Sequence, residues 1–243
     1  MALPHYPVTL PPATSYANGL YDAATIIPDD AARHLGGVLL TDPNHGGHGR
    51  WPLDADDTTD PKAGDRPDDV TFPATIVWAA DEVKSVGWSE DDARARAEHV
   101  LSLVEPVEVE QHAAEQLAQV APEPFSDWVD AVGHLDAAIA SQGHLGVLHA
   151  PRRLLARAQD KGMIIRQGGR LLTPGGNVWA FGAGYESLGN KVVATGAVVV
   201  RQSPVNTTST FDRENNIRLV VAERIVTPYW GEPLAAAEIT PAG

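Results

Sequence analysis

The chain has 243 residues, 43% of them hydrophobic, which is enough to bury a sizeable core in one large domain or two small ones. It has no cysteine, which excludes disulfides, thiolate nucleophiles and cysteine-based zinc sites. Its 18 Lys and Arg against 32 Asp and Glu give a net charge of −14, which repels nucleic-acid phosphates and argues against sequence-specific DNA binding.

The first residues show no targeting signal and little periodicity. The segment from Met1 to Ser15 contains four prolines and lacks the basic and apolar regions of a signal peptide. No apolar run in the chain approaches the roughly 18 residues that a membrane helix needs. We therefore expect a protein that is made and kept in the cytosol and contacts no membrane. Its N-terminal arm is expected to be extended and to become ordered on a neighbouring surface.

The stretch TDPNHGGHGRW, from Thr41 to Trp51, places two histidines three residues apart among glycines. His45 and His48, together with Asp42 and His34, are candidate ligands of a metal ion. Against this, their spacing matches no common zinc signature, and a glycine-rich loop holds ligands poorly. The alternative interpretation is a polar loop that contacts another molecule.

This stretch begins a segment, from Thr41 to Pro73, that is far longer than an ordinary connection of about 4–6 residues. Between Asp54 and Asp69 the segment has seven aspartates against Lys62 and Arg66 only. An acidic run of this kind is typical of a solvated loop. Loops of this length are either functional or disordered.

The middle of the chain predicts a strand and a long helix. TFPATIVWAADEV, from Thr71 to Val83, is rich in β-branched and aromatic residues, as strands are. Ser89 can then cap a helix with Asp92 at its third position, and we expect Pro106 to interrupt or kink it. The apolar face comprises Ala93, Ala97, Val100, Leu101 and Val104, followed beyond the proline by Val109, Ala113, Leu117 and Val120. Together these positions predict a long, bent helical spine.

The second half predicts short helices alternating with strands, which is typical of an α+β fold with a mixed or antiparallel sheet. One helix is expected from Ser126, with Trp128, Val129, Val132, Leu135 and Ile139 on one face, and another from Pro151 to Gly162. A β-hairpin is expected from Met163 to Thr173, turning at Gly168 and Gly169. Strands are expected at Gly146–Ala150, Asn177–Ala183, Lys191–Gln202 and Ile217–Trp230.

Two further patterns are candidates for chemistry. GAGYESLG, from Gly182 to Gly189, has some likeness to a dinucleotide loop and to a nucleophile elbow, but its glycines fit neither, so we interpret it as a turn. No serine lies in a recognisable nucleophile context, although nine histidines leave a Ser/His/Asp triad as an alternative. Arg152, Arg153 and Arg157 lie along one predicted helix and favour salt bridges, within the fold or between subunits, over nucleic-acid binding.

Two blocks of sequence carry a family resemblance. The first is FPATIVWAADEVKSVGWSEDDARARAEHVL, from Phe72 to Leu101, followed by VEVEQHAAEQLA, from Val107 to Ala118. The second lies between His144 and Trp230 and contains T-P-x-G, A-T-G-x-V, D-R-x-x-N and A-E-R in that order. The blocks resemble the major capsid proteins of tailed bacteriophages, in particular those of phages of actinobacteria. Their Hong Kong 97-type fold is shared with the encapsulins.

The resemblance implies an α+β chain with the Hong Kong 97-type fold. The expected parts are an N-terminal arm and lead-in at 1–40, an extended loop at 41–73, a peripheral domain with the spine helix at 74–125, an axial domain at 126–216, and a closing strand of the peripheral domain with the C-terminus at 217–243. Contacts with neighbouring subunits are expected from His45, His48, Arg50, Trp51 and Lys62 in the loop and from Arg152, Arg153 and Arg157 on the helix.

By the same resemblance the chain is expected to be a non-enzymatic virion protein without a metal or cofactor. It would assemble in the host cytoplasm, through pentamers and hexamers of itself, into an icosahedral shell around double-stranded DNA. Scaffolding, portal and decoration proteins are its further expected partners. The alternatives are an encapsulin-like nanocompartment shell, another virion component such as a decoration or neck protein, and, more remotely, a metal-dependent hydrolase.

Overall fold

The computed structural model describes residues 10–31, 33–44, 46–50, 64, 66, 68–84 and 89–240. The α-helices in these ranges are α1 (Leu20–Ala23), α2 (Glu90–Leu117), α3 (Trp128–Ala140) and α4 (Leu155–Asp160), and the 3₁₀ helices are Arg152–Leu154 and Gly184–Leu188. The first seven strands are β1 (Thr25–Pro28), β2 (Val38–Leu40), β3 (Val70–Phe72), β4 (Thr75–Lys84), β5 (Pro122–Phe125), β6 (Val147–Pro151) and β7 (Ile165–Gln167). The others are β8 (Arg170–Leu172), β9 (Val178–Gly182), β10 (Lys191–Thr195), β11 (Val198–Gln202), β12 (Asn206–Asp212), β13 (Ile217–Trp230) and β14 (Ala235–Ile239). None of the described helices is both long and apolar enough to cross a membrane.

The helix α2 is the predicted spine and runs for 28 residues. Ser89 and Asp92 form a capping box at its start, in which the Asp92 N–H donates to the Ser89 hydroxyl over 3.0 Å. Pro106 lies inside the helix, which continues through it without the expected interruption. A proline removes one backbone hydrogen bond. Burial of Leu101 and Val109 on either side offsets this loss.

A five-stranded sheet packs against the spine helix and is organised around β13. β4 pairs with one side of β13 over ten residues, while β12 and β11 pair with its other side and β1 adds to β11. Side chains of β4 alternate between the two faces: Val77 and Ala79 are buried beneath α2, whereas Ile76 and Trp78 face outward. The predicted strand is confirmed, except that Pro73 separates it from β3.

A seven-stranded mixed sheet has the order β5-β14-β10-β6-β9-β8-β7 and carries α3 on one face. Strands β6, β9 and β10 are buried almost throughout, which is typical of a sheet covered on both faces. The predicted hairpin is confirmed as β7 and β8. Its turn residues Gly168 and Gly169 have φ of 56° and 82°, which glycine adopts at little cost.

The single strand predicted from Lys191 to Gln202 is wrong, because this segment forms two strands in different sheets. β10 ends at Thr195 in the seven-stranded sheet, and β11 begins at Val198 in the five-stranded sheet. Between them the Gly196 N–H donates to the Gly231 carbonyl oxygen over 2.9 Å. A Cβ atom on Gly196 would lie 2.2 Å from the Glu232 carbonyl oxygen. The two chain segments can therefore cross only because residue 196 is a glycine.

The sheets group the strands differently from the expected domains at three places. β5, expected in the peripheral domain at 74–125, belongs to the seven-stranded sheet. β11 and β12, expected in the axial domain at 126–216, belong to the five-stranded sheet. β14, expected in the peripheral domain at 217–243, pairs with β10 and β5 in the seven-stranded sheet. The division into domains stays a prediction.

Two apolar residues expected on buried helix faces lie at the surface. Val100 on α2 is 41% exposed, and Val129 on α3 is 53% exposed. Each lies one position away from the row of buried side chains, so the helical twist turns it outward. The start of α3 also differs from the prediction, because its N-cap is Asp127 and not Ser126, with the Asp127 carboxylate accepting the Val129 N–H.

Candidate functional site

The predicted long loop leaves the fold at a two-stranded ribbon. β2 pairs antiparallel with β3, so residues 41–69 leave and return at one place. The Thr41 hydroxyl donates to the Asp69 carboxylate over 2.6 Å and closes the end of the ribbon. Phe72 is 3% exposed, and its ring contacts Trp230 edge-on at 5.0 Å. The loop therefore has a root that is held in the hydrophobic core.

The residues expected to contact neighbours from this loop are described only in part. His48 and Arg50 are both exposed, and the His48 Nδ1 atom lies 3.3 Å from the Gly46 carbonyl oxygen. His45, Trp51 and Lys62 lie outside the described residues. Contact between these five residues and a neighbouring subunit stays a prediction.

The candidate metal ligands that the structure describes are engaged separately. His34 is 3% exposed, and its ring nitrogens lie 3.2 Å from the Asp29 carboxylate and 3.3 Å from the Ile225 carbonyl oxygen. The Asp42 carboxylate accepts backbone N–H groups in its own turn and beyond β13. In the part of the chain that is described, no three His, Asp or Glu side chains are grouped as metal ligands. The structure thus does not bring His34, Asp42 and His48 together.

A buried glutamate on the spine helix holds the root of the N-terminal arm. The Glu110 carboxylate accepts hydrogen bonds from the Tyr16 hydroxyl and, over 2.9 Å each, from the N–H groups of Leu20 and Gly184. Burial raises the pKa of Glu110 above its ordinary value, and the three hydrogen bonds oppose this rise. A buried carboxylate is costly unless it is hydrogen-bonded. These donors therefore fix the chain to the core directly after the predicted arm.

Arg152 completes this attachment. Its guanidinium lies 4.8 Å from the ring centroid of Tyr16, within the range of a cation–π contact. It also donates to the carbonyl oxygens of Ala17 over 2.7 Å and Phe181 over 3.2 Å. This arginine was predicted to form salt bridges or subunit contacts, and the structure shows it binding the arm root of its own chain.

The other two arginines of the predicted patch behave differently from each other. Arg153 donates to the Glu186 carboxylate over 3.0 Å and to the Gly189 carbonyl oxygen over 2.6 Å, so its salt bridge lies within the fold. Arg157 is exposed and forms no ion pair with a described residue. Arg157 therefore remains the member of the patch that is available to a neighbour.

A second glutamate connects the spine helix to the five-stranded sheet. The Glu105 Oε1 atom accepts hydrogen bonds from the Tyr21 hydroxyl over 2.7 Å and from the Gln202 amide over 2.6 Å. Arg224, the arginine of the A-E-R motif, lies 3.4 Å from the same oxygen. The motif thus supplies the cation that neutralises a nearly buried carboxylate.

A fully buried histidine lies on β6 in the middle of the seven-stranded sheet. The Nδ1 atom of His149 lies 2.9 Å from the Tyr185 hydroxyl, and Nε2 lies 3.0 Å from the Thr195 hydroxyl. Burial lowers the pKa of His149 to about 3, so the ring is neutral at ordinary pH. The Thr195 hydroxyl donates to the Gly196 carbonyl oxygen, which assigns the ring proton to Nε2. With no solvent-accessible surface, this histidine cannot meet a substrate.

Two of the quoted motifs form turns whose polar groups are satisfied. In T-P-x-G, the Thr173 hydroxyl and the Gly175 N–H donate to the Asp136 carboxylate on α3, over 2.8 and 3.1 Å. In D-R-x-x-N, the Asp212 carboxylate accepts the Glu214 N–H over 2.9 Å, and Asn216 has φ of 53°. Asparagine tolerates this left-handed conformation better than most residues. Both motifs therefore have structural reasons for their residues.

The arrangement of the two sheets and the spine helix recurs in solved shell proteins. The chain aligns with the capsid of an empty GTA particle with a TM-score of 0.61 and 10% identity, covering 98% of this chain and 95% of that chain. With a chain of Microbacterium phage Oxtober96 the TM-score is 0.53 at 14% identity, covering 99% and 96%. The chain has the Hong Kong 97-type fold. The SrpI encapsulin of Synechococcus elongatus has the same fold, aligned with a TM-score of 0.55 at 12% identity over 98% and 96%.

No protein-family model and no curated protein matches the sequence. The Hong Kong 97-type fold is therefore established by structure, and the predicted α+β class with a spine helix is confirmed.

Sequence reasoning missed the two glutamates that connect the spine helix to the rest of the fold. A signal was present, because Glu105 occupies a row of apolar side chains spaced by four residues, between Leu101 and Val109. A charged residue in such a row requires a buried partner. The sequence does not indicate the partners of these glutamates. Tyr21 lies 84 residues from Glu105 along the chain, and Leu20 lies 90 residues from Glu110.

Proposed function

We propose that this chain is the major capsid protein of a tailed bacteriophage. It self-assembles, through pentamers and hexamers, into an icosahedral shell around double-stranded DNA. The observation that supports the proposal best is the likeness to solved capsid proteins over nearly the whole of both chains. The proposed role is structural, and it uses no cofactor or catalytic residue.

The attachment of the arm and the loop fits this role. Both segments begin at roots that are fixed in the core, at Glu110 and at Phe72. A segment that becomes ordered only on a neighbour adds contact area at an entropic cost, so the contacts can rearrange while the shell forms. We place loop contacts with the neighbour at His45, His48, Arg50, Trp51 and Lys62.

The charge of the chain fits a container for DNA. A net charge of −14 disfavours tight binding to phosphates, so the DNA is enclosed without sequence-specific recognition. The proposed place of assembly is the host cytoplasm and the final location is the virion. A scaffolding protein, a portal and decoration proteins are the proposed further partners.

Assembly is the direct test. The full chain is expressed alone and together with the genes beside its own, and the products are separated by sedimentation and imaged by negative-stain microscopy. Closed shells that contain nuclease-protected DNA when produced during infection support the proposal. A chain that stays monomeric under every condition contradicts it.

The loop contacts have a separate test. Substituting Arg50→Ala together with Trp51→Ala is expected to weaken capsomers or shells more than it lowers the unfolding temperature of the dissociated chain. Arg213→Ala, at an exposed arginine in the turn between β12 and β13, is the control and leaves assembly unchanged. Unfolding of the dissociated chain by the loop substitutions would assign Trp51 to the core instead.

A nanocompartment shell is the second candidate, because the alignment with the SrpI encapsulin is as complete as the alignments with phage proteins. The two functions differ in contents, since a nanocompartment encloses a cargo enzyme and a phage head encloses DNA. Genes for a terminase, a portal and a protease beside this gene support the capsid. A neighbouring cargo enzyme that copurifies inside the shell supports the nanocompartment.

A further inference from the structure

One edge of the seven-stranded sheet is basic. The segment from Pro151 to Leu172, which forms the β7–β8 hairpin and α4, contains six of the 18 Lys and Arg residues and a single acidic residue. Arg152 and Arg153 are bonded within the fold, to the arm root and to Glu186. The four remaining cations are exposed and form no ion pair with a described residue: Arg157, Lys161, Arg166 and Arg170. We name this surface the β7 edge.

The opposite edge of the same sheet is acidic. No Lys or Arg occurs from 97 to 151, and the segment from Pro122 to Ala140 contains four acidic residues. Asp136 is bonded to the T-P-x-G turn. The other three are exposed: Asp127 caps α3, Glu123 on β5 lies 3.8 Å from the His134 Nδ1 atom, and Asp130 lies in the first turn of α3. We name this surface the β5 edge.

The two edges cannot bind each other within one subunit. β5 and β7 are the outermost strands of the sheet, six strand spacings apart. At about 4.8 Å per spacing they are separated by roughly 29 Å. A contact between the two edges therefore requires a second subunit.

Each edge also carries an exposed apolar side chain beside its charges. Ile165 on β7 is 48% exposed and lies on the same face of the hairpin as Arg170, which pairs with Gln167. Val129 on α3 is 53% exposed and precedes Asp130. An apolar centre surrounded by complementary charge is the usual composition of a specific protein interface.

We propose that the β7 edge of one subunit binds the β5 edge of the next subunit of the same chain. The two surfaces differ, so the contact is heterologous, and repeating it head to tail produces a ring when the rotation closes. The inference rests on the proposed function and deepens it, since it names the surfaces that join subunits within a pentamer or hexamer.

The contact is made by side chains and not by adding one sheet to the other. Pro122 and Pro124 in β5 have no N–H group to donate, so this edge is a poor template for another strand. Arg166 and Arg170 on one side and Glu123 and Asp130 on the other supply the attraction.

Charge reversal tests the proposal. A basic-edge variant carries Arg166→Glu and Arg170→Glu, and an acidic-edge variant carries Glu123→Lys and Asp130→Lys. Each variant alone has like charges on both edges, so we expect its ring formation to be at least about tenfold weaker than that of the unmodified chain. In an equal mixture, each variant can bind only the other variant, because both edges of one are acidic and both edges of the other are basic. The two variants then alternate around the ring, so we expect rings with an even number of subunits. A chain with all four substitutions is expected to form rings again.

Native mass spectrometry and sedimentation of the full chain measure the ring sizes at low and at high salt. Association through exposed charges weakens as salt rises, because screening shortens their range to about 8 Å at physiological ionic strength. The matched control is Lys84→Glu with Arg213→Glu, which reverses two exposed charges on the five-stranded sheet and leaves ring formation unchanged. Unfolding temperatures of all variants separate loss of contact from loss of folding.

The outcomes separate this inference from the proposed function. If the unmodified chain forms rings or shells and both single-edge variants do the same, the proposed contact is wrong and the shell function stands. Ring formation could also be impaired in both variants and fail to return in their mixture and in the chain with all four substitutions. In that case the two edges do not bind each other. If the unmodified chain never associates, the shell function itself fails.

Discussion

The two sheets bury their strands in different ways and so present different surfaces to solvent. The seven-stranded sheet is covered on both faces, with Trp179 stacked on Phe181 at 4.7 Å, and it exposes mainly its edges. The five-stranded sheet is covered on one face by the spine helix, and its outer face exposes Ile76 and Trp78. A sheet covered on both faces excludes charge from its interior, whereas a half-covered sheet can use ion pairs at its margin.

The comparison predicts the largest loss of stability for a truncation inside the seven-stranded sheet. Phe181→Ala removes a fully buried ring and leaves a cavity, so the free energy of unfolding should fall by about 3–5 kcal/mol. Urea unfolding of the dissociated chain, followed by circular dichroism, measures the change. The matched substitution on the other sheet is Trp78→Ala, where the side chain is 62% exposed, and its effect should stay below about 1 kcal/mol. Equal losses at the two positions would contradict the difference between the sheets.

The next largest effect is expected where the arm root meets the spine helix. Glu110→Ala leaves two buried N–H groups and the partly buried Tyr16 hydroxyl without their acceptor, so we expect a loss of about 3 kcal/mol. Glu110→Gln keeps one acceptor oxygen and should cost less. Hydrogen exchange at the Leu20 and Gly184 amides reports the attachment directly, and unchanged protection in the alanine variant would show that Glu110 does not hold the arm.

The contribution of Glu110 to the free energy of unfolding should also depend on pH. Its pKa is raised above 4.5 in the folded chain, so its contribution to stability is fully present below pH 4.5 and is lost as pH rises through the folded pKa. In Glu110→Gln the free energy of unfolding should lack this decline. Unfolding measured in steps from pH 4 upward compares the two chains, and parallel profiles would contradict the assignment.

His149 in the seven-stranded sheet should give the opposite dependence. Its pKa falls from 6.5 to about 3 on folding, so the neutral ring contributes stability above pH 6.5 that is lost as pH falls towards 3. His149→Gln is expected to be less stable at neutral pH, because the fit to Tyr185 and Thr195 is lost, but to decline less steeply in acid. The test is the slope of unfolding free energy between pH 6.5 and pH 4, and an unchanged slope would count against a neutral buried ring.

The smallest effect is expected for an ion pair at the margin of the five-stranded sheet. Arg96 and Asp81 lie 2.6 Å apart with side chains 47% and 22% exposed, so Asp81→Asn should cost less than about 1 kcal/mol. The loss should shrink further at high salt. Glu82→Gln, at the next and exposed residue of β4, is the control with no expected change. A loss above about 2 kcal/mol would show that this sheet depends on charge more than its exposure suggests.

Elements with local signals were predictable from the sequence. The spine helix has its capping box and its apolar row within a few residues of each other, and the β7–β8 hairpin has two glycines at its turn. Local hydrogen bonds and backbone preferences decide such elements, so their residues are close in sequence. The fold class followed from the same local patterns.

Other features were not predictable because distant segments decide them. The sequence from Lys191 to Gln202 has a continuous strand pattern, and only the crossing of Gly231 next to Gly196 divides it between two sheets. Among the predicted loop contacts, His48 and Arg50 are exposed, and their partner stays a prediction.

The sequence by itself determined the spine helix, the β7–β8 hairpin, the acidic character of the chain and the order of motifs that resembles capsid proteins. Only the tertiary structure decided which strands share a sheet, which carboxylates are buried and which charges remain at the sheet edges. The physical reason is range: propensity and periodicity act over a few residues. Burial, strand pairing and charge segregation depend on residues brought together from distances such as the 90 residues between Leu20 and Glu110.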